Sequence, residues 1–177
     1  RDLTGEAHFN EITFDDVLVD QDALVGSVGH GWEQVTAELA FERSGSERYM
    51  SAFPLLPLAI DQIAADGSAD RLAAVEIGKS VAELAVMREM SVSIAGMLAA
   101  GDMPNQEAAV VKELGAGFEQ RLPESIRQLV DVPMGEASDS ELGQILAAII
   151  QLAPTFSLRG GTREIIRGIV ARGIGLR

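Results

Sequence analysis

Glu42 and Arg43 are adjacent charged residues at the end of the largely apolar run Ala37 to Phe41. A carboxylate on or near the buried face of a helix must either find a cation or give up its charge, and a carboxyl whose pKa is raised by burial is suited to accept a proton near neutral pH. Glu42 is therefore a residue that needs either a raised pKa or a charged partner. The structural reading is an internal ion pair with Arg43, Arg48 or an arginine elsewhere. The two histidines, His8 and His30, fall in separate segments, and no His and carboxylate pair has metal-ligand spacing, so no metal site is expected. Cysteine is absent, which removes thiolate ligands and a disulfide framework. Gly26 to Gly31 is glycine-rich and precedes a helical pattern. It lacks the lysine of a phosphate-binding loop and the spacing of a dinucleotide fingerprint, and reads as a flexible helix entry.

The elements that would position these residues divide near residue 30. Phe9, Ile12, Phe14, Val17 and Val19 alternate imperfectly with polar residues and suit one or two half-buried strands. A lone strand pair is marginal in water, and the sequence opens on Arg1 rather than Met, so this start reads as the edge of a larger β domain. From Gly31 the apolar spacing becomes helical. One helix runs from Gly31 until Pro54 and Pro57 kink or end it; a second, from Asp70 to Ala99, is the longest periodic segment; a third runs from Gln106 to about Val130 and should bend at Pro123. Ser138-Asp139-Ser140-Glu141 fits a capping box opening a fourth helix, which ends before Pro154, and a last helix spans about Thr162 to Ala171. The expected fold is mainly α: an antiparallel four-helix-type bundle over residues 29–177, with a short β remnant over residues 1–28.

The net charge of −13 and pI near 4.5 oppose non-specific binding to nucleic acid or to anionic membranes. No stretch approaches the ~20 apolar residues of a membrane span, and nothing resembles a signal peptide, so a cytoplasmic setting is expected. Partners should be protein or small molecule.

Three segments, in this order, resemble the acyl-CoA dehydrogenase family. The first is Phe9 to Val19 with Leu24-Val25-Gly26 and Gly29-His30-Gly31-Trp32, similar to the end of the family's middle β domain and the entry to its first C-terminal helix. The second is Phe41-Glu42-Arg43. The third is Gly160-Gly161-Thr162-Arg163-Glu164-Ile165-Ile166-Arg167 with Ala171 to Leu176, similar to the closing motif. The resemblance implies an FAD-dependent α,β-dehydrogenation of an acyl-CoA thioester, with an electron-transfer flavoprotein or similar acceptor as redox partner and a homo- or hetero-oligomeric assembly. Many members place the base directly before the closing Gly-Thr, where this chain has Gly160; others place it on the first bundle helix, at the position matching Glu42. The resemblance thus implies Glu42 as base and Arg43 organising the substrate site. It puts the Gly160 and Gly161 backbone near the thioester, and Thr162 and Glu164 toward FAD.

The chain also departs from the family. Where many members carry Arg-x-x-Phe-Gly, a contact to FAD across a subunit interface, Ala64 to Asp70 has neither the arginine nor the Phe-Gly. Such losses resemble members that work in two-subunit complexes. A second reading of the resemblance is a non-catalytic bundle whose task is oligomerisation, with Glu42 in a structural ion pair. In neither reading is the chain expected to be an active enzyme alone.

Overall fold

The structure is a computed structural model that describes residues 1–176. Six α-helices follow one another: α1 (Gly31–Ser44), α2 (Leu55–Ala65), α3 (Arg71–Ala99), α4 (Asn105–Leu129), α5 (Glu141–Leu152) and α6 (Arg163–Gly173). The stretch from Gly31 to Val130 thus holds four helices where the hydrophobic pattern suggested three. The first one stops early, at Gly45, whose extended backbone (φ −65°, ψ 156°) leads into a 3-10 turn at Ser46–Arg48. Pro54 then caps α2 and Pro57 sits in its first turn, where the missing N–H orphans nothing. These prolines start a helix rather than end one.

The expected strands are not present. Residues 7–19 form neither helix nor strand, and among the described residues there is no β-strand at all. Extended backbone becomes a strand only when a neighbouring chain accepts and donates its hydrogen bonds, and none of these residues supplies one. Phe9, Phe14 and Leu18 are accordingly exposed, at 86%, 79% and 98%.

The helix α4 is the axis of the bundle; α1, α2, α3, α5 and α6 all pack on it. Its sequence explains why. Ala108, Ala109, Gly115, Ala116 and Gly117 keep its surface low so that neighbours approach closely, while Val111, Phe118, Leu122 and Ile126 fill the core with Leu55 and Leu56 of α2, Met87 and Ile94 of α3, and Leu142 and Leu146 of α5. From Gly115 to Glu119 every side of α4 is buried, the mark of a central helix rather than a surface one. The hairpin α3–α4 is antiparallel: Glu83 and Arg121, which lie equally far in sequence from Asp102 in the connecting turn, form an ion pair at 2.6 Å. The helix continues through Pro123 to Leu129.

Helix starts follow local chemistry. Asp70 caps α3, its carboxylate accepting from the Ala73 amide at 2.7 Å. Ser140 rather than Ser138 caps α5, accepting from the Gly143 amide at 3.3 Å, while the Ser138 hydroxyl donates to the Pro133 carbonyl and closes the preceding loop. The apolar stripe of α3 is only partly used: Ala73, Met87 and Ile94 are buried, while Leu72, Val86 and Val92 face outward. No helix is long and apolar enough to cross a membrane among the described residues.

Candidate functional site

Glu42 and Gly160, 118 positions apart by numbering, meet in space. A Cβ placed on Gly160 would lie 3.5 Å from Glu42 Oε1, 3.6 Å from Arg43 Cγ and 3.6 Å from Lys112 Cε. Gly160 and Gly161 take φ of +68° and +110°, a left-handed turn that a side chain would strain, and this turn leads straight into α6. Arg43 reaches across from α1 and donates from Nε to the Gly160 carbonyl at 2.9 Å. The residue is 7% exposed; burial lowers its pKa below the usual value, with Glu42 opposing. Four of the residues named from the sequence, Glu42, Arg43, Gly160 and Gly161, therefore form one cluster at the junction of α1, α4 and α6.

The carboxylate of Glu42 is not buried as the apolar run suggested. Its side chain is 41% exposed, at the rim of the bundle, and it accepts from Arg48 Nη2 at 2.7 Å while Arg48 Nε donates to the Glu42 carbonyl at 2.8 Å. The residue is on the last turn of α1, and the chain doubles back through the 3-10 turn, which returns Arg48 to it. Thr162 and Glu164 stand beyond the turn, at the start of α6. The Glu164 carboxyl is held below its ordinary value by its own backbone N–H first and by the Thr162 hydroxyl second. Glu164 is exposed.

Beneath this rim lies a layer of charged groups that sequence reasoning missed. Lys112, 1% exposed, donates from Nζ to the Phe156 carbonyl at 3.0 Å. Glu119, fully buried, accepts from the Ser51 amide at 2.7 Å and from Arg159 Nη2 at 2.5 Å, and Arg159 Nη1 also donates to the Ser51 hydroxyl at 2.9 Å. The Arg159 guanidinium stacks 4.6 Å from the Phe156 ring centroid. Glu113 takes both Arg163 and Arg167 of α6. Burial pushes the Glu113 carboxyl up, but the hydrogen bonds from Arg163 and Arg167 outweigh it and leave it below its usual value. Lys112, Glu113 and Glu119 lie among small and apolar residues of α4, and in sequence they are ordinary charges of an amphipathic helix with no local signal that sets them apart. Both histidines are elsewhere: His30 lies 2.8 Å from Glu33 at the start of α1, and His8 3.6 Å from Asp2. No group of three or more His, Cys, Asp or Glu fit to hold a metal ion occurs among the described residues.

Residues 29–175 match the model of the acyl-CoA dehydrogenase C-terminal domain. The chain belongs to the acyl-CoA dehydrogenase family. It is 33% identical over 178 aligned residues to acyl-CoA dehydrogenase IpdE1 of Mycobacterium tuberculosis, an alignment covering 96% of this chain and 44% of that protein. It is 28% identical over 135 residues to acyl-CoA dehydrogenase FadE34 of the same organism, covering 74% of this chain and 18% of that one. The chain thus spans less than half the length of these acyl-CoA dehydrogenase relatives. Among solved structures, a variant of the Tcur3481-Tcur3483 steroid ACAD shares the fold, with a TM-score of 0.70 at 19% identity over 86% of this chain and 42% of that one. Acyl-CoA dehydrogenases generally use FAD.

Proposed function

We propose that this chain is the C-terminal bundle of an FAD-dependent acyl-CoA dehydrogenase that oxidises an acyl-CoA thioester at its α,β bond, with Glu42 as the base that removes the α-proton. The observation that carries this reading is the meeting of Glu42 with Gly160. Members of the family resembled here place the base at one or the other of these positions, and the fold brings both to the same spot. A carboxylate from α1 can therefore occupy the space that a side chain at residue 160 would otherwise fill, and Gly160 leaves room for it.

The chemistry asks for a carboxylate aimed at a weakly acidic C–H in a site closed to water. Arg48 orients the Glu42 carboxylate through one ion pair and one backbone contact. Arg43 holds the Gly160 carbonyl, which leaves the Gly160–Gly161 backbone as a fixed wall for a thioester. Water exclusion is incomplete in the bundle alone, since Glu42 is 41% exposed. Substrate, cofactor and the domain that residues 1–28 belong to would complete the cover, and the bundle by itself is inactive in this reading.

Thr162 and Glu164 suit part of FAD. The Thr162 hydroxyl is a neutral donor, and the Glu164 carboxylate can accept from a ribityl or ribose hydroxyl but would repel a phosphate. The nearby cations Arg163 and Arg167 are both engaged by Glu113, so the diphosphate must be held by groups outside this cluster. Bound FAD would supply the acceptor for the β-hydride. Ala64 to Asp70 offers no arginine for a contact across a subunit interface, which favours an assembly in which a second, different subunit supplies or receives that contact. An electron-transfer flavoprotein or similar acceptor would reoxidise the cofactor.

Replacing Glu42 with Gln tests the assignment. In the complete flavin-loaded enzyme, turnover should fall by ~10²–10⁴-fold or more while FAD stays bound. If Glu42 is instead only a partner for Arg48, the same change alters stability and leaves turnover per bound flavin near normal, which would rule out the base assignment.

A further inference from the structure

Lys112 is a buried charge with no role in the reading above. It lies on α4 under the Gly160 turn, 1% exposed, with its Nζ committed to one backbone carbonyl, that of Phe156. Removing an ammonium from water costs more than a single neutral acceptor returns, and replacing buried charges by apolar groups of the same volume is often neutral or stabilising. The surroundings reinforce the point. Burial first, then Arg159 and Arg48, push its pKa down to about 8, against the pull of Glu119 and Glu113. Stability therefore does not account for this lysine.

What it holds does. The segment from Phe156 to Gly160 is tied at three places by three cations: Lys112 of α4 at the Phe156 carbonyl, Arg43 of α1 at the Gly160 carbonyl, and Arg159 from within the segment to Glu119 and Ser51. Lys112 also lies close to the turn, its Cε 3.6 Å from where a Cβ on Gly160 would stand, the same point that Glu42 Oε1 approaches to 3.5 Å. The lysine supports the turn while the base meets it at the rim.

We propose that Lys112 is a positioning residue, which fixes the Phe156 carbonyl and floors the Gly160–Gly161 turn and thereby sets that turn against the Glu42 carboxylate. This inference rests on the reading of Glu42 as base and of the turn as the wall of the thioester site. Small displacements of such a wall matter, because a misplacement of about 1 Å can cost ~100-fold in rate.

The test uses the complete flavin-loaded enzyme. Lys112→Met keeps the stem and removes the ammonium. It should lower kcat by about 10- to 100-fold with KM for the acyl-CoA and flavin content within about twofold. Amide exchange across residues 156–162 should rise by about tenfold or more, measured by hydrogen exchange. Lys112→Gln, which retains a neutral donor on a shorter arm, should recover part of both losses. A lysine that only packs would shift the melting temperature and leave kcat per flavin and exchange at 156–162 unchanged; either unchanged value in folded Lys112→Met overturns the proposal. If Lys112→Met does not fold, Lys112→Gln is judged by the same two measurements against the wild type. Glu42→Gln separates the two readings: normal turnover there removes the base assignment, whereas unchanged exchange in the lysine variants removes the positioning role whatever Glu42 does.

Discussion

Glu42 and Lys112 show two fates of a charge near a protein core. Glu42 stays at the rim, paired with Arg48, with solvent still in reach; Lys112 is taken fully inside, and its proton affinity falls as a result. That difference is measurable as stability against pH. The folded value of Lys112 is about 8 and the ordinary one 10.5, so between these limits the unfolded chain binds more protons than the folded one and stability rises with pH. Below about pH 8 the ammonium is charged in both states and its burial weighs in full; above 10.5 it is neutral in both. At ~1.4 kcal/mol per pKa unit, the gain across the window is at most about 3–4 kcal/mol. Denaturant unfolding of the chain from about pH 7.5 to 10 should show this rise, and Lys112→Met should flatten it. On the acid side the sign reverses. Glu113 is held below its usual value by its arginines, so its contribution is present above pH ~4.5 and is lost as pH falls through its lowered pKa.

At the scale of the element, the close approach of the 3-10 turn to α4 decides whether Arg48 reaches Glu42. Gly115 makes the approach possible: a Cβ there would run into the Arg48 carbonyl and lie 3.1 Å from Tyr49 Cβ. Backbone cannot swing aside as a side chain can. Gly115→Ala should therefore destabilise by ~1–3 kcal/mol through overpacking, despite the better helix propensity of alanine. Gly78, within α3 and with nothing within 4 Å of its Cβ position, is the control. Gly78→Ala should stabilise by ~0.5–1 kcal/mol. Equilibrium unfolding of the two variants checks both signs, and a Gly115→Ala chain as stable as Gly78→Ala would refute the packing account.

For the molecule as a whole, the apolar surface outside the bundle is extensive. Trp32 of α1 is 80% exposed and Phe41 60%, and Val86 and Val92 of α3 are 57% and 55% exposed. Helix faces of this kind are ordinarily covered by another chain or domain. The isolated chain should self-associate at micromolar concentration, with its net charge of −13 restraining but not preventing contact. Sedimentation velocity measures this directly; a single monomeric species would count against an oligomeric bundle.

How much of this was legible beforehand differs by feature. The period of apolar residues marked α3, α4, α5 and α6 within a few residues of their ends, because amphipathic spacing, the capping pattern of Ser138 to Glu141 and the glycines before α6 are local signals. The pair Glu42-Arg43 and the Gly160-Gly161-Thr162 turn were also visible as motifs. The break after Ser44 was not, since no proline marks it and it depends on the 3-10 turn packing against Gly115. Nor did alternation over residues 7–19 make a strand, because a strand is defined by partners that the segment does not carry within it. The buried layer of Lys112, Glu113 and Glu119 was hidden for a related reason: in sequence they are ordinary charges on an amphipathic helix, and only the closure of α6 and the Phe156–Gly160 segment over α4 takes them out of water. Spacing along the chain thus determined helices α3 to α6, and the resemblance to the family singled out Glu42, whereas the tertiary fold alone decided that Glu42, Gly160 and Lys112 converge, because contacts between residues so far apart in sequence are set by packing and leave no local pattern.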